Sequence, residues 1–262
     1  VNSISADAAP LTIIDGIEGD INKVNPNDVE SISVLKDASA AAVYGARAAY
    51  GVILVTTKNG KIGKTNVSYN GRFSFGDTTT STDFETRGYY SAGINDMFYK
   101  TYQGVPYTHY TQEDYHELWI RRNDKVEDPS RPWVVEKNGE YKYYGNFDWY
   151  NCLFDNTRPT WEHNLTVSGG TEKVKYMLSG NYYNQKGIIR IDSDRFKKYT
   201  FRSKIIANIT SWFELSNNTS YYHSEYTYPG LSGVNDVFSR AGRHALASIV
   251  PMHPDGTLVY RT

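Results

Sequence analysis

The sequence predicts a mixed α/β segment over residues 1–64, followed over residues 65–262 by the opening strands of an antiparallel transmembrane β-barrel. Three observations carry that prediction. Near residue 65 the local pattern changes from short, capped α and β pieces to long apolar–polar alternation. In each alternating strand one face is oily and the other carries charge. Connections between those strands are short at one end and long at the other, the asymmetry of outer-membrane barrels.

In the first segment, Pro10 to Ile17 reads as a strand. "NPNDVES" then offers Asn25 as N-cap, Pro26 at the first helical position, and Asp28 and Glu30 in the first turn. The stretch "LKDASAAAVYGARAAYGVILVTTKNG", Leu35 to Gly60, is not a bilayer helix, because Arg47 sits near its middle and Gly45 and Gly51 break it. It parses as a strand from Ser31 to Leu35, then Asp37 capping a short helix from Ala38 to Tyr44. Gly45 is the left-handed stop, and a second strand runs from Val52 to Thr57.

Beyond residue 65, Val67, Tyr69, Gly71, Phe73 and Phe75 alternate with Ser68, Asn70, Arg72 and Ser74. The pattern recurs from Trp161 to Gly169, from Val174 to Tyr182 and from Tyr199 to Ile209. A fifth strand, Trp212 to Tyr222, is blurred, and Ile206 and Asn217 break the pattern. A soluble antiparallel sandwich also alternates, so the connections decide. "GTE" joins strands two and three and roughly "TS" joins four and five, whereas Asp77 to Thr160 separates strands one and two, and a tail runs on from His223. Tyr69, Trp161, Tyr176, Tyr182, Tyr199 and Tyr221 suit the aromatic girdles of such a barrel, and His163 fits its lipid face only near the interface. Five strands cannot close around a globular plug, so further strands are expected beyond Thr262, and the chain is expected to be a piece of a longer protein.

Bulk properties exclude more than they identify. Lys and Arg number 28 against 29 acidic residues, which gives no field favouring nucleic acid. A single cysteine, Cys152, rules out an intrachain disulfide framework and a multi-cysteine metal site. The opening "VNSISADAAPLTIIDG" has neither a basic start nor a long enough apolar stretch to be expected to act as a signal peptide. Aromatic residues reach 15%, with 23 Tyr and 5 Trp, so tyrosine is used heavily.

Sites of chemistry are sparse. "KNGKIGKT" fails as a phosphate loop: Lys58 stands where the first glycine belongs, and a strand pattern rather than a helix follows. "THYTQEDYHELWIRR" reads as a helix capped by Thr111, whose Glu113, His116 and Glu117 form a solvated face more readily than a metal site. Asp192 and Asp194 are a weak calcium pair, too few for the usual ligand number. No nucleophile elbow or paired acid/base carboxylates emerge, so neither an enzyme nor a cofactor is expected.

With these pieces in place, "IDG" (Ile14 to Gly16), "NPNDVESISVLKDASAAAVYGARA" (Asn25 to Ala48) and "GVILVTTK" (Gly51 to Lys58) closely resemble the later half of the plug domain of SusC/RagA-type TonB-dependent receptors of Bacteroidetes. Tyr50 departs from the small polar residue usual before that glycine. The resemblance covers some sixty residues and marks Asp15, Gly16, Lys36, Asp37, Tyr44, Gly45 and Arg47 as family motif positions. It implies a bacterial outer-membrane importer: a barrel of about twenty-two strands closed by the plug, opened by TonB, and lidded by a SusD-like lipoprotein. The implied cargo is a glycan oligosaccharide; a peptide importer of the same family, or a siderophore or cobalamin receptor, is the alternative. A secreted carbohydrate-binding β-sandwich is the rival from another class.

Within that frame the small residues of Ala38 to Ala42 and Ala46 to Ala49 suit a seal that packs closely without interlocking. Lys36, Asp37 and Arg47 are expected to face a lumen wall carrying Arg72, Lys175 and Arg202, with ordinary capping and surface charge as the alternative. The long loop from Asp77 to Thr160 holds eleven Tyr and three Trp. Trp133, Tyr141, Tyr143, Tyr144 and Trp149, with Arg121, Arg131, Asn146 and Asp148, are its candidates for contact with cargo or lid, and packing of the loop onto itself is the competing role.

Overall fold

The computed structural model describes residues 10–36, 43–48, 50–79, 81, 83–228, 230 and 234–259. Two compact units emerge: one comprises the first 75 residues with 159–186 and 195–226, the other 76–158, 187–194 and the C-terminal stretch.

In the first unit, β1 (Leu11–Ile14), β2 (Ile17–Glu18), β3 (Val29–Leu35) and β4 (Val52–Thr57) form a sheet of order β2-β1-β4-β3. β1 runs parallel to β4, and β3 antiparallel to it. The single strand expected from Pro10 to Ile17 is a hairpin instead. Asp15 and Gly16 turn it, with φ of 49° and 88°, and Ile14 pairs with Ile17. Two successive positive φ values define the mirror-image turn for which Asp-Gly is a preferred sequence. "NPND" folds as one 3-10 turn, Pro26–Asp28, with the Asn25 side chain accepting from the Asn27 N–H. Glu30 therefore lies in β3 rather than in a helical first turn. Residues 37–42 of the expected alanine helix, including its cap Asp37, lie outside the described residues; Gly45 has the expected left-handed φ, 68°. Leu11, Ile13 and Val52 form the core of this sheet, with Leu35, Tyr44 and Leu54 against them.

The second sheet has order β11-β10-β9-β8-β5. Its strands are β5 (Gly63–Asp77), β8 (Thr157–Gly170), β9 (Val174–Lys186), β10 (Arg195–Asn208) and β11 (Glu214–Thr227). At 13 to 15 residues each, they run longer than alternation alone indicated. β11 starts after Trp212, because 209–213 close a tight turn in which the Ile209 N–H donates to the Phe213 carbonyl at 2.9 Å. Short links (171–173, 209–213) lie at one end and long ones (78–156, 187–194) at the other.

Register fixes the two faces. Leu165 opposes Gly180, Val167 opposes Leu178 and Gly180 opposes Phe201 on one side. Asn164, Ser179, Asn181, Arg202 and Lys204 point to the other, as the period of two demands. The polar side is the covered one: Ser179 is 3% and Arg202 6% exposed, against 48% for Leu165 and 46% for Phe201. What covers it is the first sheet. A soluble sandwich buries its oily face, so the carbohydrate-binding sandwich is set aside.

The second unit contains α1 (Gly88–Gln103), α2 (Gln112–Arg121), the β6 (Val134–Lys137) and β7 (Glu140–Tyr143) hairpin, α3 (Trp149–Leu153) and α4 (Val234–His244). Thr111 caps α2 in a reciprocal box with Asp114. Ala92, Leu118 and Tyr144 form one core cluster; Trp133, Val134 and Val250 form another. No helix among the described residues is long and apolar enough to cross a membrane, which leaves the strands to be judged separately.

Candidate functional site: where the first sheet meets the strand wall

Two carboxylates dominate this contact. The Asp15-Gly16 turn aims the Asp15 carboxylate at the end of β4, where it accepts the Thr57 backbone N–H (2.9 Å) and hydroxyl (2.5 Å). From the wall, Asn218 of β11 donates to it at 2.8 Å, Lys204 Nζ lies 3.3 Å away and Arg202 Nη1 3.5 Å away. Asp28, at the end of the 3-10 turn, accepts from the Ser179 hydroxyl of β9 at 2.7 Å and faces Arg202 Nε at 3.8 Å. Beside it the Asn25 amide donates to Asn164 Oδ1 of β8 at 2.7 Å. Lys204 also donates to the Thr57 carbonyl and hydroxyl, at 3.3 and 3.2 Å. Arg202 and Lys204 are two residues apart on β10 and so share a face. Two anions thus meet two wall cations across this contact.

The carboxylates respond differently. Burial disfavours ionisation at both. At Asp15 the hydrogen bonds from Thr57 and Asn218 and the charge of Lys204 outweigh it, holding the carboxyl below its ordinary value. At Asp28 burial wins over Ser179, Arg202 and Lys58, and the carboxyl is lifted. Close approach continues at Gly60, where an added Cβ would come within 2.4 Å of the Tyr176 backbone.

On the opposite face a row of rings crosses all five strands. Tyr69 and His163 lie 6.1 Å apart, His163 and Tyr182 6.2 Å, Tyr182 and Tyr199 5.2 Å, and Tyr199 and His223 6.1 Å. The Tyr69 hydroxyl and His163 Nδ1 share a hydrogen bond of 2.7 Å, which accommodates the histidine in an aromatic belt.

Several expected site residues lie elsewhere. Arg47 does not reach the wall: it pairs with Glu18 of its own sheet at 2.6 Å, exposed. Lys36 is exposed at the end of β3, and Asp37 is outside the described residues. Arg72 lies 3.6 Å from Glu162 of the neighbouring strand. Of the expected wall cations, Arg202 meets Asp15 and Asp28, and Lys204, two residues along β10, meets Asp15 as well. Tyr44 packs on the Leu11 cluster.

In the long loop between β5 and β8 most candidates serve the loop's own interior. Tyr144 is fully buried and donates to Asp114 Oδ1 at 2.6 Å. Arg121 is buried, donating to the carbonyls of Arg131, Pro132 and Glu117. The Trp149 indole N–H is shared by the Leu246 and Ile249 carbonyls. Arg131 forms a two-pronged pair with Asp124 at 2.7 and 2.8 Å. Asn146 bridges backbone groups and Asp148 caps α3. Trp133 is buried, and Tyr141 and Tyr143 pack against His253. Asp194 is buried in its own loop, its carboxylate 3.4 Å from the Ile189 N–H, and Asp192 occupies a left-handed turn position. Among the described residues no three His, Cys, Asp or Glu side chains are grouped to hold a metal ion. Asp15, Thr57, Lys204 and Asn218 were missed as wall contacts; the Asp-Gly pair was the readable signal for the turn that aims the first of them.

Comparison with known proteins agrees with this geometry. Residues 2–52 match the TonB-dependent Receptor Plug Domain. The chain is 30% identical over 242 residues to TonB-dependent receptor P26 of Formosa agariphila, covering 91% of this chain and 21% of that protein. It is 31% identical over 210 residues to TonB-dependent receptor SusC of Bacteroides thetaiotaomicron, covering 76% and 17%. Among solved structures, the RagAB peptide importer in its closed-closed state aligns over 97% of this chain and 29% of that one, with TM-score 0.65 and 26% identity. The chain spans about a fifth of the length of these curated relatives. By its plug, its strand wall and these likenesses, the chain matches a fragment of the SusC/RagA-type TonB-dependent receptors, proteins of the bacterial outer membrane: part of the plug and the first barrel strands.

Proposed function

We propose that this chain supplies the seal and the first wall strands of an importer that is energised through TonB, works with a SusD-like surface lipoprotein, and takes up a nutrient oligomer. The observation that carries the reading is the inverted sheet: its oily face is open while its polar face holds the plug through Asp15 and Asp28. Ionic contacts of this kind lie near thermodynamic break-even, because desolvation offsets attraction. They fix the plug in one register yet yield to a pull. The cargo we propose is an oligosaccharide; a peptide is the second reading, favoured by the likeness to the RagAB peptide importer.

The test is charge reversal, Arg202→Glu, in the full-length receptor. Loss of plug seating raises influx of a membrane-impermeant dye into cells. Influx equal to that of the parent contradicts the sealing role.

A further inference from the structure

On the open face of the strand wall, charge is confined to one end. The row of rings from Tyr69 to His223 divides that face. From the row toward the short links, β8, β9 and β10 present Leu165, Val167, Leu178, Gly180, Phe201 and Ile205. Toward the long links the character changes at once. Lys197 stands two residues beyond Tyr199, in register with Asn184, and Arg195 stands four beyond it, in register with Lys186. Glu225, two residues beyond His223 on β11, is the carboxylate beside them, 3.7 Å from Lys197.

The depths suit a lipid. With a rise of about 3.3 Å per residue and a tilt of about 35–45°, Lys197 lies about 5 Å and Arg195 about 10 Å above the rings along the membrane normal. An aromatic belt marks the edge of the hydrocarbon, and long connections lie on the outer side in barrels of this kind, so both cations sit at the depth of the outer headgroups. Arg195 is exposed and enters no ion pair among the described residues. It stands directly across from Lys186; like charges so placed repel, and an anion between them relieves the repulsion. Below the rings the same two strands leave a slot. Gly180 is in register with Leu165 on one side and Phe201 on the other, and a Cβ added to it would meet nothing within 4 Å.

Cations, rings and slot follow one another along a single strip, the order of an anionic lipid with its phosphate outermost and its acyl chain inward. A soluble anion uses the cations and ignores the slot. Arginine offers phosphate a two-pronged donor and lysine a compact charge. We propose that this strip binds one phosphate-bearing lipid of the outer leaflet, its phosphate on Arg195 and Lys197 with Lys186 alongside, and one acyl chain in the slot over Gly180. The site is on the lipid side of the wall, opposite the plug contact, and its occupant is not cargo.

The experiment is native mass spectrometry of the purified full-length receptor, stripped of lipid in detergent. It is titrated with bis-phosphorylated lipid A and with the same lipid after dephosphorylation, and inorganic phosphate is the competitor. The phosphorylated lipid should occupy one site at concentrations where the dephosphorylated lipid leaves it empty. Each nearby cation is worth about fivefold, so Arg195→Gln should weaken binding about fivefold, and Arg195→Gln with Lys197→Gln about thirtyfold. Glu225→Gln removes the competing carboxylate and should tighten binding about fivefold, a gain that no folding defect imitates. Gly180→Leu fills the slot and should weaken binding about fivefold. Equal affinity of the parent for the two lipids overturns the proposal, and that comparison decides even where a variant does not fold. So does a Glu225→Gln receptor that binds no more tightly, or a Gly180→Leu receptor with affinity unchanged. Displacement of the lipid by inorganic phosphate at equal concentration assigns the cations to a free anion and overturns it too.

Discussion

The contact between plug and wall and the interior of the long loop differ in what they bury. Where plug meets wall, the covered side chains include Asp28, Asn25, Asn164, Ser179 and Arg202; inside the long loop an apolar core of Ala92, Leu118, Tyr144, Trp133 and Val250 surrounds the buried Asp114 and Arg121. Apolar burial stabilises by roughly 25 cal/mol per Å² and is not replaced by water when it is broken. Polar contacts are exchanged for water at little net cost while every group finds a new partner. The loop is therefore built to keep its shape, and the plug contact to hold a register that can be given up. Removing one member of the polar contact is a different matter from separating it intact, since a lone charge stays behind.

That distinction sets the largest expected effect. Arg202→Ala leaves Asp15 and Asp28 short of a cation inside a covered surface, and should weaken plug seating by about 3–5 kcal/mol. Hydrogen exchange at β4 should read the loss while the amides of α2 stay protected. Next is the oily face: Leu165→Arg should destabilise the reconstituted receptor by about 2–4 kcal/mol if its position lies at the bilayer midplane, less toward the Tyr–His belt, measured by urea titration in liposomes. In the loop, Tyr144→Phe removes the hydroxyl that donates to the buried Asp114 carboxylate and should cost about 1–3 kcal/mol, lowering the unfolding midpoint of the loop without moving plug exchange.

The smallest effect is in pH. Asp15 is held below the ordinary value of 3.8, so its stabilisation is complete above that pH and is lost as pH falls through the lowered value. Asp28 is lifted above 3.8, so its contribution is complete below that pH and is lost as pH rises through the raised value. Asp15→Asn should flatten the acid-side loss of β4 protection, and Asp28→Asn the loss on the other side of 3.8. Identical profiles for the two variants would contradict the opposed environments.

Alternation made the faces of the wall readable, because a period of two is a local property and every strand repeats it. It identified Arg202 as a wall cation by parity alone. Its partners were not readable: Asp15 lies 187 positions away in sequence, and no local pattern encodes that distance. The Asp15-Gly16 turn was legible in principle, but Ile13, Ile14 and Ile17 around it read as one apolar run. Tyrosine was the hardest residue to place. Tyr144 in a core, Tyr182 in a belt and Tyr141 against His253 use the same side chain in three surroundings, and composition does not separate them. The Trp133 indole was legible as a binding candidate by type, whereas its burial appears only once the loop is folded.

Leu165 and Thr166 are neighbours on β8 that the register sends to opposite faces. In the full-length receptor with Cys152 replaced by Ser, reconstituted into bilayers, a fluorophore on Leu165→Cys or on Thr166→Cys is exposed to a nitroxide quencher carried on lipid acyl chains. The inverted sheet predicts strong quenching at 165 and little at 166. Equal quenching, or the reverse, contradicts it.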